Sequence, residues 1–359
     1  MIRLARLMTM EDVEALAVGG SILGGGGGGW YEEGIRDGAL ALEIGDVRLL
    51  DPDDAPGDML VAVSAGLGAP TQKGKTRPHH FIRSAELLRE VGVEFEGLTA
   101  AENGGHNSFG GWIQAAALGM LVVDVPADGR AHPTAVMGGM GLQRVEGYRS
   151  VKAVACEEVE AVAWGTLQRT SSVARMIAQD VKAVVAMTRD PVTVDYARAH
   201  GAPGAISKAI ALGNRHIEAA PKGPDAKVEA VLGSLGGELV CRGRVAEKAL
   251  EARGGFDVGA LKVEAEGRTY EVSYVNEYMT LELGGRRLAT FPDLICTFDA
   301  EGSPVTSAEV LEGDVVYLTN TSRELIPVGD GNRYPEVYEP IEKALGKPMT
   351  SHLGGFLKA

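Results

Sequence analysis

The chain has 359 residues, more than one ordinary core holds, and a division into two domains is expected. Its 45% hydrophobic and 23% charged residues suit a soluble globular enzyme or binding protein. Lys plus Arg is 35 against 49 for Asp plus Glu, a formal charge of −14 that repels phosphate backbones and anionic lipid, so neither nucleic acid nor a membrane is expected as partner.

No apolar run reaches the roughly 18 residues of a membrane span. The start, Met1 to Arg6, lacks the apolar stretch of a signal peptide. Cys156, Cys241 and Cys296 are odd in number and widely spaced, which argues against a disulfide framework and fits a reducing cytoplasm.

In chain order, Thr9-Met10-Glu11-Asp12 reads as a helix start, with Thr9 as the cap and acids in the first turn. Gly19-Gly20 is expected to interrupt this helix, and Gly24 to Gly29 form an unbroken glycine run that cannot extend it cheaply. Asp58 to Ser64 reads as a buried strand. His79-His80 reads as an exposed loop pair before a helix from Arg83 to Val91. Leu98 to Glu102 suggests a short strand, Gly111 to Leu118 a helix, and Met120 to Asp124 a buried strand with an acid at its carboxyl end. This alternation predicts an α/β layer with a mainly parallel sheet, and Gly-rich loops at strand ends are where such sheets bind ligands.

Thr166 to Met187 and Ile206 to Ala220 read as helices, with Thr188-Arg189-Asp190-Pro191 as a break between them. From about Gly237 the pattern changes to short β-branched segments separated by Gly, Pro, Asn and Asp, ending with Asp314 to Thr319. That spacing predicts a β-rich, barrel-like domain. The tail from Asn332, with its three prolines, is expected to pack as irregular structure. The boundary is set so that residues 1–167 form the α/β domain with the glycine-rich loop and the site, and residues 168–359 a helical segment followed by the β-rich domain and tail. Glycine is about twice its usual share and aromatics are only 5%. The small residues hint at a homo-oligomer built by close backbone packing.

Three stretches carry candidate chemistry. Gly25, Gly26, Gly27 and Gly28 offer backbone N–H donors to an anion or oxyanion. No Lys-Ser/Thr follows, so this is not a nucleotide P-loop; the alternative is a structural crossing. Glu102-Asn103-Gly104-Gly105-His106-Asn107 places an acid, an imidazole and amides on a loop after a strand; the alternative is an Asx-turn with solvated side chains. Asp124-Val125-Pro126-Ala127-Asp128-Gly129-Arg130-Ala131-His132-Pro133 follows a buried strand with two acids, an Arg and a His; the alternative is an Asp–Arg pair that stabilises a turn. His79, His80, His106 and His132 fall close together in sequence, and with carboxylates they would suit zinc or another divalent ion. Cys296 sits in an apolar strand and reads as core.

Taken together these motifs resemble the S-methyl thiohydantoin desulfurase family, long labelled DUF917. The matching segments are Val18 to Gly29, Glu102-Asn103-Gly104-Gly105 with Asn107, and Val122-Val123-Asp124 with Gly129-Arg130-Ala131 and Pro133. Gly204 to Ile210, Gly254-Gly255-Phe256, Asn276-Glu277 and Pro292 to Ile295 follow in family order. The resemblance implies an N-terminal α/β domain, a C-terminal β-rich domain, and hydrolytic, metal-assisted removal of a sulfur substituent from a five-membered ring. It also implies a neighbouring hydantoinase/oxoprolinase-type protein, and a non-catalytic partner subunit of such an enzyme is the alternative reading. This chain departs from the family loop: Pro126 replaces an Asp, Asp128 a Met, His132 a Phe and Thr134 a Glu, and His106 is inserted before Asn107.

The expected machinery is Glu102, Asp124, Asp128 and Arg130 as catalytic groups. Gly25 to Gly28, Asn107 and Ser207 would contact a small cyclic amide or thioamide, and His106 and His132 would bind the divalent ion.

Overall fold

The structure, a computed structural model, describes residues 5–68, 76–253 and 256–358. Met1 to Leu4 of the N-terminal reading, and Gly254 and Gly255 of the matched segments, lie outside the described residues.

The first sheet contains β1 (Arg6–Leu7), β2 (Arg48–Leu50), β3 (Leu60–Leu67), β4 (Gly97–Ala100), β5 (Leu121–Val123), β6 (Ser150–Ala155), β7 (Glu160–Gly165) and β8 (Val185–Thr193). Their order across the sheet is β1-β2-β5-β4-β3-β8-β6-β7. The centre, β2-β5-β4-β3, is parallel, while β8, β6 and β7 add antiparallel on one side and β1 on the other. The sheet is therefore mixed, with helices α1 (Met10–Leu23), α2 (Tyr31–Ile44), α3 (Pro78–Glu90), α4 (Trp112–Leu118), α5 (Leu167–Val181), α6 (Val194–His200), α7 (Ala205–Ala219) and α8 (Pro224–Leu235) around it.

The second sheet is antiparallel throughout. Its strands are β9 (Glu238–Arg253), β10 (Phe256–Ala265), β11 (Arg268–Val275), β12 (Glu277–Leu283), β13 (Arg286–Thr290), β14 (Leu294–Phe298), β15 (Pro304–Val305) and β16 (Val315–Thr321), ordered β13-β12-β11-β10-β9-β16-β14-β15 as a half-barrel. The β-branched segments of the sequence all fall on these strands.

Helix α1 starts as its sequence indicates. Thr9 accepts from the Asp12 amide and Asp12 accepts from the Thr9 amide, a reciprocal cap. It does not stop at Gly19-Gly20. A Cβ at Gly19 would sit 1.8 Å from the Ala209 carbonyl oxygen, and one at Gly213 would sit 1.8 Å from that of Ala15. The glycines are the notch where α1 and α7 cross, and the packing gained outweighs their poor helix propensity.

Thr188-Arg189-Asp190-Pro191 is also not a break. It lies inside β8, whose register against β3 shifts at this point, so that Val61 pairs with Val192 and Val63 with Arg189. Pro191 has no amide to give a ladder, and a bulge is where a strand tolerates that. The preceding helix ends at Val181, short of the Met187 expected from sequence, because Val185 to Met187 are needed between β3 and β6. His79 and His80 occupy the first turn of α3, and His80 is buried with its Nδ1 accepting from the Arg77 amide at 2.9 Å. The tail is not wholly irregular: α9 (Glu339–Leu345) packs Ile341, with Tyr338 and Met349, against Val258, Val275 and Met279.

Candidate functional site

The carboxyl ends of β3, β4 and β5 lie side by side, and their loops build one wall of a cavity. Ala101 donates to Ser64 O (3.0 Å), and the loop after β5 is laid along the end of β4 by Ala127 N to Ala100 O and Asp128 N to Ala101 O, both 3.1 Å. Glu102 and His132, thirty residues apart in sequence, thereby face each other across the end of a parallel sheet, the usual ligand position in such folds. The cavity holds about 130 Å³, with Glu102, Asn107, His132, Arg175, Arg189 and Glu277 among its walls. That is room for about four waters at roughly 30 Å³ each, or for one small ring.

Glu102 is 5% exposed. Its Oε1 accepts from Asn107 Nδ2 at 2.6 Å and its Oε2 from the His132 amide at 3.1 Å. Burial outweighs both donors and pushes the carboxyl up to about 7. Glu277 enters from the first residue of β12, buried, with Oε2 lacking a hydrogen-bond partner. Burial and the charge of Glu102 hold Glu277 well above the ordinary carboxyl value. His132 is the reverse case: burial, helped by Arg189, drives it down to about 3, and neither ring nitrogen is hydrogen-bonded. At neutral pH the site holds a neutral imidazole and two carboxyls that resist being ionised together.

The glycine run joins the two sheets. Gly25 O accepts from Tyr278 N (2.9 Å), Gly26 O from Ser307 N (2.8 Å), and Gly28 O from the amides of His106 (3.1 Å) and Asn107 (2.9 Å). The run therefore places Glu277 beside Glu102. Side chains are excluded by contact: a Cβ at Gly27 would lie 2.2 Å from Glu277 Oε1, and one at Gly28, where φ is +79°, would lie 2.4 Å from Gly104 Cα.

Residues 11–162 match the model of the "S-Me-THD-like, N-terminal domain" family, and residues 166–322 that of the "S-Me-THD-like, C-terminal domain". The chain belongs to the S-Me-THD-like family. No curated protein matches it. A crystal structure of a protein from Chromobacterium violaceum is similar in fold, with a TM-score of 0.68, 20% identity and 99% of each chain covered. Desulfurase activity belongs to this family at the family level, and membership is consistent with a thiohydantoin-related enzyme that acts on a small molecule. Among the described residues no helix is long and apolar enough to cross a membrane.

Of the residues singled out from sequence, Glu102, His106, Asn107, His132 and Gly28 line the S-Me-THD-like cavity. Gly25, Gly26 and Gly27 do not line it. The amides of Gly24, Gly25 and Gly27 donate to Gly20, Ile22 and Gly24 carbonyls, so these donors are spent within the turn. Asp124 and Ser207 meet each other away from the cavity: Asp124 accepts from the Ile206 (2.8 Å) and Ser207 (2.9 Å) amides and caps α7. Asp128 accepts from the amides of Gly129 (2.8 Å) and Gly329 (2.9 Å) and from Asn332 Nδ2 (2.5 Å), anchoring the tail. Burial lifts Asp128 to about 6. Arg130 ties the two sheets by donating to Asp293 O (2.5 Å) and Pro292 O (3.2 Å), and it stacks over Phe291.

The two histidines expected to hold an ion each lie beside a different carboxylate. His106 Nε2 is 3.0 Å from Asp37 Oδ2, and His132 Nε2 is 3.2 Å from Glu102 Oε2. Among the described residues no three His, Cys, Asp or Glu side chains are grouped so as to hold a metal ion. The donor set thus falls short of the three protein ligands of catalytic zinc sites, and no step below is routed through a metal.

Sequence reasoning missed Glu277, Arg175 and Arg189 as site residues. The Asn276-Glu277 pair was visible as a matched segment, and its signal is steric. Asn276 has φ +58°, a conformation Asn tolerates, and it is fixed by bonds to both backbone groups of Asp257. Arg189 was hidden by reading its surroundings as a break. Nothing in the helical pattern of α5 marks Arg175.

Proposed function

We propose that this cavity hydrolyses a small five-membered thiohydantoin-type ring, replacing a sulfur substituent by oxygen and releasing a thiol. The observation that carries the reading is the convergence of Glu102 and Glu277 in one buried pocket, both with carboxyls raised above their ordinary value. Such a pair suits one group acting as base and the other as acid near neutral pH.

In this scheme ionised Glu102 takes a proton from water as the water oxygen bonds to the ring carbon that bears sulfur. Protonated Glu277 gives its proton to the adjacent ring nitrogen. As the carbon–sulfur bond breaks, the new hydroxyl returns a proton to Glu277, and Glu102 passes its proton to the departing thiolate. The ring gains a carbonyl and an N–H, a thiol leaves, and both carboxyls end as they began. The amides of Asn107 and His132 hold Glu102 from one side, leaving its remaining lone pairs to the cavity. The neutral imidazole of His132 offers one donor and one acceptor to the ring.

The test is incubation with a panel of S-methyl thiohydantoins, following released thiol and the hydantoin product. Oxygen from labelled water should enter the product, and treatment with a chelator should leave the rate in place. Turnover lost on chelation and restored by zinc would put the water on a metal instead. Absence of turnover across the panel, with the protein folded, would favour the non-catalytic partner reading.

A further inference from the structure

Helix α2 carries an acid to the wall of the cavity. It packs so tightly on the loop after β4 that two of its positions admit no side chain. A Cβ at Gly34 would lie 1.9 Å from Gly105 O, and one at Gly38 2.7 Å from Phe109 Cε1. Between them Asp37 is buried, and its Oδ2 lies 3.0 Å from His106 Nε2. Its Oδ1 accepts from Arg36 Nε at 2.8 Å. Burial raises the Asp37 carboxyl, but the bonds from His106 and Arg36 outweigh it and hold the group below the ordinary carboxylate range.

A carboxylate only accepts, so Nε2 carries the proton and, in the neutral ring, Nδ1 keeps its lone pair. Among the described residues no hydrogen bond reaches Nδ1. His106 lines the cavity with its side chain 17% exposed, and Phe81 packs edge-on against the imidazole. Its amide is pinned by Gly28 O at 3.1 Å, and the next residue, Asn107, holds Glu102 at 2.6 Å. Tying α2 to the loop accounts for the Asp37 bond alone. It leaves unexplained an acceptor on the cavity wall.

We propose that His106 Nδ1, fixed as an acceptor by Asp37, receives a ring N–H of the bound ligand, so that the site selects rings with an unsubstituted nitrogen. The proposal rests on the reading that the cavity takes a hydantoin-type ring. Of the two nitrogens that flank the reacting carbon, Glu277 serves one in the scheme above, and His106 takes the other.

The experiment measures binding of hydantoin and of succinimide by calorimetry at about pH 8, above the range of a free imidazole. In succinimide a methylene replaces one ring N–H at unchanged ring size. Hydantoin should bind about tenfold more tightly, the worth of one net hydrogen bond. Asp37→Asn is the decisive variant. Arg36 Nε draws the new amide's oxygen, so the amide nitrogen faces Nε2 and the imidazole must carry its proton on Nδ1. The acceptor becomes a donor, and the preference should vanish. Nitrogen NMR of histidine-labelled protein should place the His106 proton on Nε2 in wild type and on Nδ1 in the variant, a change that loosened packing alone would not make. His106→Phe, which keeps a ring against Phe81, is the second variant and should bind both ligands equally. Equal binding by the wild type, or none, overturns the proposal, and so does a preference that survives either variant. Turnover of thiohydantoins with equal binding of hydantoin and succinimide sinks the acceptor and keeps the hydrolytic reading. A preference for hydantoin that the variants lose, with no thiohydantoin turned over, keeps the acceptor and sinks that reading.

Discussion

Glu102 Oε2 lies 3.2 Å from His132 Nε2 with both side chains buried, yet the two are not hydrogen-bonded, and the imidazole, driven down to about 3, is uncharged at neutral pH. The distance alone would suggest an ion pair. Burial decides otherwise, because charging the ring inside the protein costs more than one carboxylate returns. Glu102 is held instead by Asn107 and by the His132 backbone, so its proton affinity is set by burial.

Glu102→Gln tests this directly. Turnover should fall by about a hundredfold or more, the usual contribution of a positioned base. Stability gives a second readout. The Glu102 carboxyl is raised to about 7 from the ordinary 4.5, so the folded state holds a proton that the unfolded chain has released. Its stability contribution is full below 4.5 and is lost as pH rises through 7. Relative to wild type, the Gln variant should gain stability between those values, by up to about 3 kcal/mol. Urea denaturation at pH 5 and pH 8 measures it; a difference that stays the same at the two pH values would show Glu102 ionised at both.

The two carboxyls should titrate as a pair. Glu277 is raised by burial and by the charge of Glu102, and the influence is mutual. In Glu277→Gln, the ionisation of Glu102 is expected to move to lower pH and to become a single step. Carboxyl titration followed by NMR in protein with labelled glutamate would check it. An unchanged Glu102 titration means the two groups do not sense each other, and the acid–base assignment fails with it.

The α1–α7 crossing makes a mechanical prediction. Gly19→Ala and Gly213→Ala each drive a methyl onto a backbone carbonyl at 1.8 Å, and each should cost about 1–3 kcal/mol or more. Gly233, in α8, has nothing within 4 Å of an added Cβ, so Gly233→Ala should stabilise by roughly 0.5–1 kcal/mol. Thermal unfolding of the three variants separates packing from propensity; equal effects at Gly19 and Gly233 would mean the crossing is looser than described.

The same crossing shows where sequence reading stops. Thr9 announces its helix because a cap is a local bond, and β-branched runs announce strands because alternation is local. Whether Gly19-Gly20 ends a helix or notches it depends on Ala209, nearly two hundred residues away. Glu102 was legible as an acid on a loop after a strand. Its partners were not, since Arg175, Arg189 and Glu277 come from a helix, a bulged strand and the other sheet. Asp124 and Asp128 carried the right chemistry in the right loop. The same loop amides and helix end that make such acids look functional also bind them as anchors.

The buried imidazole of His132 has a consequence in acid. The folded imidazole resists protonation down to about 3, whereas the unfolded one takes a proton near 6.5. Its depressed value destabilises the fold progressively as pH falls below 6.5. His132→Phe removes that liability. The imidazole fills the space left by the missing side chain of Gly138, where a Cβ would lie 2.1 Å from Nε2, and no hydrogen bond of the imidazole is lost. Relative to wild type, the Phe variant should gain on the order of 3 kcal/mol between pH 7 and pH 4. Turnover should fall as well, because the ring would lose its donor and acceptor. Paired urea titrations at the two pH values measure the first effect. A parallel acid profile for both proteins would mean that the buried imidazole is charged in the fold, and that it pairs with Glu102 after all.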